Sequence, residues 1–395
     1  MHAPLAGRRI WFVGIGGAGL SGYALVARAW GAEVGGWDRV ETPYLEHVRA
    51  AGIDARISAE PEVRDGWETV VSTAFAGRVA GSPRAELLAE LVSLQRSIVV
   101  AGAHGKTTTS GMIAFVLDRL GRDPSFLIGG EIPQLGGNAR AGTGWLVVEG
   151  DESDRTIASL RPEIAVVTDV DLDHHTEFAS QAEVAALFDR WLESVPHVVR
   201  GDALEPLDVE LAIAGEHNRR NAAAALAALE LAGVARGDAL PSLREFGGAG
   251  RRLELRGGDG VRVYDDYAHH PTEIEATLAG ARELGARRLL VLFQPHLYSR
   301  TRHLAYELAR ALAGADVVAV TDVYAAREEP LAGVSGRLVV EALAGIRPGM
   351  PVAWMPTVEE GAAFVARRAR AGDIAITIGA GDVDRAAPLI VEATR

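Results

Sequence analysis

The stretch SIVVAGAHGKTTTSGMIAFVL, residues 97–117, decides the fold. A short apolar run leads into a glycine-rich turn, and a lysine, three threonines and an apolar helical pattern follow. This order predicts a strand, a phosphate-binding loop and a helix, because glycine lets backbone N–H groups approach phosphate closely. The loop is a short G-x-x-G-K-T form, since Val100 stands where the usual pattern has a glycine. We expect it to hold ATP, with Lys106 neutralising phosphate charge and Thr107 ligating magnesium.

The same order of apolar run, polar loop and helical pattern recurs along the chain. Examples are RRIWFVGIGG at residues 8–17, RRLLVLFQPH at residues 287–296 and DIAITIGAGD at residues 373–382. Apolar strands whose C-terminal ends carry polar loops are typical of parallel α/β sheets, which bind ligands at those ends. A chain of 395 residues is too long for one ordinary core. The sequence therefore predicts an α/β protein of three domains, at residues 1–96, 97–245 and 246–395.

Composition restricts the classes of function. The formal net charge of −13 disfavours a non-specific nucleic-acid binder, which needs a basic surface, so we expect no nucleic-acid partner. No apolar run is long enough to span a membrane, so we expect no membrane partner. The chain has no cysteine, which excludes disulfides and is compatible with a reducing cytoplasm. We expect a cytoplasmic protein that is a monomer or a homodimer.

A second glycine loop lies near the N-terminus. VGIGGAGLSG, residues 13–22, matches G-x-G-x-x-G through Gly14, Gly16 and Gly19, after an apolar run and before a helical pattern. Asp38 follows the next apolar run, where a dinucleotide site would hold a ribose. The motif fits NAD or another nucleotide diphosphate equally well, and a tight turn without a ligand is the structural alternative.

Polar loops after other apolar runs supply further candidates. VVEGDESD (residues 147–154) and DVDLDHHTEF (residues 169–178) offer oxygen ligands for magnesium, although acidic runs are often only solvated loops. GEHNRRN (residues 215–221) opens an alanine-rich helix, and the arginines of GGAGRR (residues 247–252) suit a phosphoryl oxygen. YDDYAHHP (residues 264–271) and FQPHLYSRTR (residues 293–302) are histidine-rich. Their spacing lacks H-x-x-x-H and no cysteine helps, so histidines and arginines converging on a carboxylate fit better than zinc.

Taken together, these motifs resemble the Mur ligase family over nearly the whole chain. The resemblance implies a Rossmann-like N-terminal domain for a UDP-linked substrate, a P-loop-type central ATPase domain and a Rossmann-like C-terminal domain for an amino acid. It therefore implies that the first glycine loop serves the UDP end of a substrate, not NAD. The implied reaction joins L-alanine to the lactyl carboxylate of UDP-N-acetylmuramate through an acyl phosphate, with ATP and Mg²⁺, in peptidoglycan precursor synthesis.

The resemblance also implies roles for individual residues. The implied ATP site comprises Gly102, His104, Gly105, Lys106, Thr107, Thr108, His217, Asn218, Arg252 and Asp266. The implied magnesium ligands are Thr107, Glu149 and His174. The implied substrate-binding residues are Gly14, Gly16, Gly17, Gly19, Tyr267, His269 and Arg300. The implied catalytic residues are Lys106, Asn218, Asn221, Arg252, His269 and Arg300.

The sequence departs from the family pattern at several points. The chain is shorter than typical members, and its first domain lacks the usual histidine-bearing loop near residues 50–62. Leu297 stands where the family has an arginine, which bears on recognition of the amino acid's carboxylate. These departures keep two alternatives open: a Mur-type ligase with another amino acid or acceptor, and a non-catalytic nucleotide-binding relative. An NAD-dependent dehydrogenase is the third alternative, and it leaves the residue 97–117 motif unexplained.

Overall fold

The computed structural model describes residues 3–171, 177–326 and 328–395. Contacts within the chain define two compact units. The first comprises Met1–Ala212 and Arg219–Ala249, and the second comprises Ile213–Asn218 and Gly250–Arg395. The first unit contains two sheets and the second contains one, all mostly parallel and connected by helices, which confirms the predicted α/β class. Among the described residues, no helix combines the length and the apolar character needed to cross a bilayer.

The first sheet has the strand order β3-β2-β1-β4-β5 and is parallel throughout. Its strands are β1 Arg9–Val13, β2 Glu33–Asp38, β3 Asp54–Ile57, β4 Glu68–Val71 and β5 Ser82–Pro83, and its helices are α1 Ala18–Ala29, α2 Pro43–Ala50 and α3 Arg84–Leu94. Strand β1 alternates its side chains between the two faces: Ile10 and Phe12 join the core beneath the helices, whereas Trp11 and Val13 pack with Trp37 on the opposite face. The strand order reverses beside β1, so the first glycine loop follows the strand at which open α/β sheets bind ligands.

The second sheet has the order β11-β10-β6-β9-β7-β8, in which only the β7–β8 pair is antiparallel among the described strands. Its strands are β6 Ser97–Ala101, β7 Ser125–Ile132, β8 Gly137–Arg140, β9 Leu146–Glu149, β10 Ile164–Val167 and β11 His197–Arg200. The helices are α4 Lys106–Arg119, α5 Gln181–Leu192, α6 Glu216–Leu231, whose residues up to Asn218 are grouped with the second unit, and α7 Arg236–Glu245. Strand β6 is buried along its full length, and α4 is buried from Thr107 to Leu117, so the phosphate loop joins two central elements.

The two sheets of the first unit share one hydrophobic core. Helix α1 packs directly on β7 and β8: a Cβ added at Gly22 would lie 2.9 Å from the Ala139 Cβ and 3.2 Å from a Leu127 methyl carbon. The Asn138 amide also donates to the Ala18 carbonyl at 3.0 Å. The face of α1 that carries Gly22 therefore packs closely on the second sheet, and this packing positions the first glycine loop beside that sheet. The predicted domain boundary after residue 96 falls within this unit, and the boundaries stay predictions.

The second unit has one sheet of order β12-β13-β17-β14-β15-β16, with β12 antiparallel to its neighbour. Its strands are β12 Glu254–Gly257, β13 Arg262–Asp266, β14 Leu289–Phe293, β15 Val317–Val320, β16 Val352–Trp354 and β17 Ile374–Ile378. Its helices are α8 Pro271–Glu283, α9 Tyr298–Leu312, α10 Arg337–Ile346, α11 Val358–Ala366 and α12 Ala386–Ala393. Strands β14 and β17 are fully buried between two hydrophobic clusters, one on each face, as in a doubly wound sheet.

Candidate active site

The phosphate loop between β6 and α4 needs both of its glycines. Gly102 and Gly105 have φ angles of 141° and 78°, a region that side-chain-bearing residues rarely adopt. A Cβ at Gly102 would lie 2.2 Å from the Thr168 hydroxyl oxygen, and one at Gly105 would lie 2.4 Å from the Asn221 amide oxygen. The predicted phosphate loop is therefore built as its glycine spacing requires, with the N-terminus of α4 at its end.

Lys106 is held inside this loop by an acidic partner. Its Nζ donates to the Gly102 carbonyl at 2.5 Å and to both carboxylate oxygens of Glu152, at 3.0 and 3.1 Å. Burial lowers the pKa of Lys106, but the carboxylates of Glu152, Glu149 and Asp151 outweigh it and hold that pKa above its usual value. Lys106 is thus a permanent cation at the position where the phosphates of ATP are expected.

The predicted magnesium ligands that the structure describes lie together. The Thr107 hydroxyl donates to Glu149 Oε1 at 3.1 Å, and the Gly129 N–H donates to Glu149 Oε2 at 2.7 Å. A hydroxyl oxygen and a carboxylate at the start of α4 form a hard-oxygen donor set of the kind that Mg²⁺ prefers. These two side chains therefore fit the predicted metal. The third predicted ligand, His174, lies outside the described residues.

Other predicted nucleotide-binding residues lie at the starts of α4 and α6. The His104 N–H donates to Asp169 Oδ1 at 2.8 Å, which ties the phosphate loop to the end of β10. The Asn218 amide donates to the Ala214 carbonyl at 2.6 Å and is only 8% exposed, so it caps the segment that enters α6. The remaining members are Thr108, His217 and Asn221, on these same helices. Their contacts with ATP stay predictions.

Two backbone N–H groups of the first glycine loop are already hydrogen-bonded within the protein. Gly16 donates to Asp38 Oδ2 at 2.8 Å, and the other Asp38 oxygen accepts from the Arg39 N–H at 2.7 Å. The Gly14 N–H is bound by the Trp37 carbonyl at 2.8 Å. Because both oxygens of Asp38 are engaged by backbone, the ribose-binding role that the motif suggested for Asp38 is not favoured. The substrate-binding roles of Gly14, Gly16, Gly17 and Gly19 stay predictions.

A cavity of about 270 Å³ lies between α1 and the phosphate loop, within the first unit. Gly19 and Tyr23 line one side, and Lys106 and Glu149 line the other. Arg84, the first residue of α3, also lines it, and its Nη2 donates to Asp151 at 3.1 Å and to Asp154 at 2.7 Å. The cavity thus brings the first glycine loop, the phosphate loop and an additional cation to one place.

The adjacent arginines of the GGAGRR turn have different environments. Arg251 donates through Nε to Asp265 at 2.7 Å, and its two Nη atoms donate to the Gly381 and Gly379 carbonyls at 3.0 and 2.7 Å. Three of the five N–H donors of Arg251 are thus used by the fold, so a phosphate role is less favoured for Arg251 and stays a prediction. Arg252 forms an ion pair of 3.5 Å with Glu273 and lies 5.6 Å from the centre of the Tyr267 ring, and its phosphate role stays a prediction.

Asp266 is a buried carboxyl at the end of β13. It accepts from the Leu253 N–H at 2.7 Å and from the Ala268 N–H at 2.8 Å. Burial raises the pKa of Asp266 to about 6, against the opposing effect of Arg252. A carboxyl with such a pKa is ionised at neutral pH and protonated in mild acid, which makes its predicted contact with the ATP ribose sensitive to pH.

Four rings form a row along the C-terminal ends of β13, β14 and β15. Tyr267 and His269 lie 5.6 Å apart, His269 and His296 lie 5.7 Å apart, and His296 stacks on Tyr324 at 5.9 Å and 15°. Arg300, which is 8% exposed, lies 3.2 Å from the Nδ1 of His296. The structure therefore brings the predicted residues Tyr267, His269 and Arg300 into one neighbourhood. Tyr324 also lines a cavity of about 330 Å³ in the same unit.

Sequence reasoning did not assign Arg84, Glu273 or Tyr324, and it considered Glu152 only as an alternative to Glu149 for the metal. Arg84 and Tyr324 could have been found, because both lie just after strands of a parallel sheet, where ligands bind. Glu273 lies on α8 four residues after His269 in the chain, so its position carried a weaker signal.

Comparison with known proteins gives matches along most of the chain. The description "Mur ligase family, catalytic domain" matches residues 9–96, "Mur ligase middle domain" matches residues 100–203, and "Mur ligase, glutamate ligase domain" matches residues 251–381. The chain is 38% identical to a UDP-N-acetylmuramate–L-alanine ligase of Paenarthrobacter aurescens, with 98% of this chain and 97% of the relative covered. It is 39% identical to the enzyme of that name from Streptomyces coelicolor, with 98% of each covered.

A solved structure shares the fold. The UDP-N-acetylmuramate-alanine ligase of Thermotoga maritima superposes with a TM-score of 0.79 at 26% identity, covering 97% of this chain and 98% of its own. Because nearly all of both chains is covered, the match includes the segments that form all three sheets.

Proposed function

The chain belongs to the Mur ligase family, and we propose that it joins L-alanine to the lactyl carboxylate of UDP-N-acetylmuramate at the expense of ATP. The relatives' names state the same two substrates, UDP-N-acetylmuramate and L-alanine, and the proposed product is a precursor of peptidoglycan. One observation carries the proposal: the cavity beside the first glycine loop is also lined by Lys106 and Glu149 of the phosphate-loop site. A sugar-linked carboxylate in that cavity would lie next to the place where ATP is expected.

In the first step the lactyl carboxylate attacks the γ-phosphorus of ATP. Such transfers depend on positioning and charge neutralisation rather than on covalent help from the protein. Lys106 supplies a permanent positive charge, because the carboxylates around it keep it protonated. Thr107 and Glu149 would hold Mg²⁺, which neutralises further phosphate charge when bound. The products of this step are ADP and an acyl phosphate.

In the second step the amine of L-alanine attacks the acyl carbon, and phosphate leaves. We assign the second unit's row of rings, with Tyr267, His269 and Arg300, to the amino acid. We assign Arg252 to the γ-phosphate and Asp266 to the ATP ribose. We also assign His217, Asn218 and Asn221 to the adenine side of the ATP site. We place the protein in the cytoplasm.

Leu297 favours a second candidate, a ligase of this family with a different amino acid. The residue has a φ of 68°, in the left-handed region, and stands at the start of α9 beside the row of rings. An apolar side chain there replaces the cation that the family pattern carries. An altered amino-acid preference would follow if that cation normally selects alanine.

The test is phosphate release from ATP and Mg²⁺ with UDP-N-acetylmuramate present and amino acids added one at a time. Release that needs both the UDP-sugar and L-alanine, with the amide product seen by mass, is the expected result. Release with glycine or serine in place of alanine would support the second candidate. No release with any amino acid would refute both ligase proposals, and ATP binding would then identify a non-catalytic relative.

Lys106→Ala is the matched control, because it removes the phosphate-loop cation and leaves the first glycine loop unchanged. We expect it to abolish acyl-phosphate formation while UDP-N-acetylmuramate still binds. Loss of UDP-sugar binding in a folded Lys106→Ala protein would contradict the assignment of the UDP-sugar to the first domain.

A further inference from the structure

We propose that Glu152 is a positioning residue that competes with the phosphates of ATP for Lys106, so that its charge weakens nucleotide binding and favours the release of ADP. The inference rests on the proposed function, because it concerns the ATP site of that reaction. Its basis is that the contacts of Lys106 within the protein already use every hydrogen of its ammonium group, and that Glu152 supplies the charged share of those contacts.

The Lys106 ammonium group is surrounded by acceptors. Its Nζ lies 2.5 Å from the Gly102 carbonyl oxygen, 3.3 Å from that of Ala103, and 3.0 and 3.1 Å from the two carboxylate oxygens of Glu152. An ammonium group has three hydrogens to donate and cannot accept. Four acceptors therefore share three hydrogens, and a phosphate oxygen that binds Lys106 has to displace at least one of them.

The contact that phosphate displaces most readily is the one with Glu152. The side chain of Lys106 is 17% exposed and that of Glu152 is 3% exposed, so water screens their surroundings poorly. Phosphate oxygens that approach Nζ also approach the carboxylate beside it, and like charges at such a site repel each other. The carbonyls of Gly102 and Ala103 carry no net charge, so phosphate repels them far less.

The loop that carries Glu152 is fixed, whereas the lysine side chain can move. The Glu152 carbonyl accepts from the Arg155 N–H at 3.0 Å, which closes a turn. The preceding residue, Asp151, accepts through Oδ1 from the Ser153 N–H at 2.9 Å and from its hydroxyl at 2.6 Å. Lys106 has a flexible four-carbon stem at the start of α4. The exchange of partners therefore belongs to the lysine, and the carboxylate stays in place.

This exchange affects both ends of the reaction. When Lys106 turns to the phosphates, a buried carboxylate loses its cation, and an uncompensated buried charge is unfavourable. The bound state is therefore weakened for ATP and for ADP alike. Return of Lys106 to Glu152 favours the departure of ADP, so we infer that the pair limits how long the product stays on the protein.

The test variant is Glu152→Gln, which keeps the length of the side chain and an oxygen that can accept from Nζ, but removes the charge. Lys106 remains a cation in this variant, because the carboxylates of Glu149 and Asp151 also raise the pKa of Lys106. The measurement is calorimetric binding of ADP and of a non-hydrolysable ATP analogue, with Mg²⁺ and without UDP-N-acetylmuramate or alanine.

We expect the dissociation constants of both nucleotides to fall about tenfold or more in Glu152→Gln, as for the loss of one repulsive charge at a poorly screened site. AMP should bind within about twofold of wild type, because a phosphate-loop lysine reaches the β- and γ-phosphates that AMP lacks. Steady-state kinetics should show lower values of both KM for ATP and kcat, since ADP leaves more slowly. A residue that only supports the fold would not tighten nucleotide binding when it is replaced.

Asp154→Asn is the matched control, because it removes one carboxylate from the same loop. Asp154 accepts from Arg84 at 2.7 Å and from the Thr156 N–H at 3.0 Å. We expect its dissociation constants for ADP and the ATP analogue to stay within about twofold of wild type. If Glu152→Gln does not fold, Glu152→Asp replaces it: the shorter side chain draws the carboxylate away from Nζ, and a smaller tightening in the same direction is expected.

Three results would overturn the inference while wild type still binds both nucleotides. Weaker nucleotide binding in Glu152→Gln would mean that Glu152 orients Lys106 for the phosphates. Unchanged binding would leave the pair a role in the fold alone. A higher Mg²⁺ requirement for binding would make Glu152 a metal ligand.

A wild-type protein that binds neither ADP nor the ATP analogue would refute the ATP site itself, and the proposed function with it. The two failures are therefore distinguishable, because the first appears only in the variant and the second appears in wild type.

Discussion

Arg251 and Arg252 are neighbours in the chain, and the structure predicts opposite consequences for their replacement by alanine. Arg251→Ala should destabilise the second unit, because three of its donors bind the Asp265 carboxylate and the carbonyls of Gly379 and Gly381. These contacts join the turn before β12 to the end of β13 and to the loop after β17. Arg252→Ala should leave stability nearly unchanged and affect activity.

The magnitude follows from the burial of Asp265. That residue is 0% exposed, and the Thr377 hydroxyl donates to the other oxygen of its carboxylate at 2.5 Å. Without Arg251 this buried carboxylate loses its ion-pair partner. Removing one member of a buried ion pair costs about 3–5 kcal/mol, because the other charge is left uncompensated. For a domain of this size each kcal/mol lowers the melting temperature by about 2–4 °C, so we expect a fall of about 6–20 °C. The ion pair of Arg252 with Glu273 is partly exposed, and its loss should cost less than about 1 kcal/mol.

The pH dependence of Arg251→Ala has a definite sign. Burial raises the pKa of Asp265, whereas Arg251 and Thr377 lower it. Without Arg251 that pKa rises further, so the native state binds a proton up to a higher pH than before. A raised native pKa means stability that is present at low pH and lost as the pH rises. The defect should therefore be smaller at pH 5 than at pH 8.

Scanning calorimetry of wild type, Arg251→Ala and Arg252→Ala at these two pH values tests the reasoning. Phosphate release is measured on the same samples at a temperature below every transition. The reasoning fails if Arg251→Ala melts within 2 °C of wild type, or if its defect grows as the pH is lowered. A larger loss of stability in Arg252→Ala than in Arg251→Ala would reverse the assignment of the two residues.

Other predictions concern the sites individually. Glu149→Gln should raise the Mg²⁺ concentration for half-maximal turnover about tenfold or more, because a charged oxygen ligand is lost, and an unchanged Mg²⁺ titration would contradict its metal role. The KM for ATP should rise as the pH falls through 6, where Asp266 takes up a proton, and Asp266→Asn should remove this dependence; a wild-type KM that is constant from pH 5 to 8 would exclude the ribose contact. Arg84→Ala should raise the KM for UDP-N-acetylmuramate and not that for alanine, since Arg84 lines the cavity of the first unit; steady-state kinetics with either substrate varied decides this. Leu297→Arg should lower the KM for alanine several-fold by restoring a carboxylate-binding cation, and no change would mean that this position does not reach the substrate.

The phosphate loop could be predicted because its requirements are local. The backbone angles of Gly102 and Gly105 demand glycine, and the strand before and the helix after them are visible as apolar patterns. Lys106 and Thr107 are the first residues of the helix that follows the loop, so their position in the sequence is enough to place them at the phosphate-binding end of that helix. The same holds for the α/β class, which follows from alternating short apolar runs and helical patterns.

Partners that come from distant parts of the chain could not be predicted in this way. Lys106 and Glu152 are 46 residues apart, and Arg84 and Asp151 are 67 residues apart. Their pairing depends on which strands become neighbours and, for Arg84 and Asp151, on how the two sheets of the first unit pack together. A glycine motif also does not say which of its N–H groups stay available, and here Asp38 occupies that of Gly16.

The two histidines of the second unit show where sequence reasoning stops and geometry begins. His269 and His296 are the same residue type, each in a loop after a parallel strand, and the sequence does not say which nitrogen of each ring meets which partner. The difference arises because the Nδ1 of one faces a carbonyl oxygen and the Nδ1 of the other faces a guanidinium. A partner that can only accept and a partner that can only donate impose opposite tautomers on identical rings. The chemistry of each histidine is therefore decided by the neighbour on its far side, and replacing Arg300 with a residue that cannot donate should free His296 to exchange tautomers.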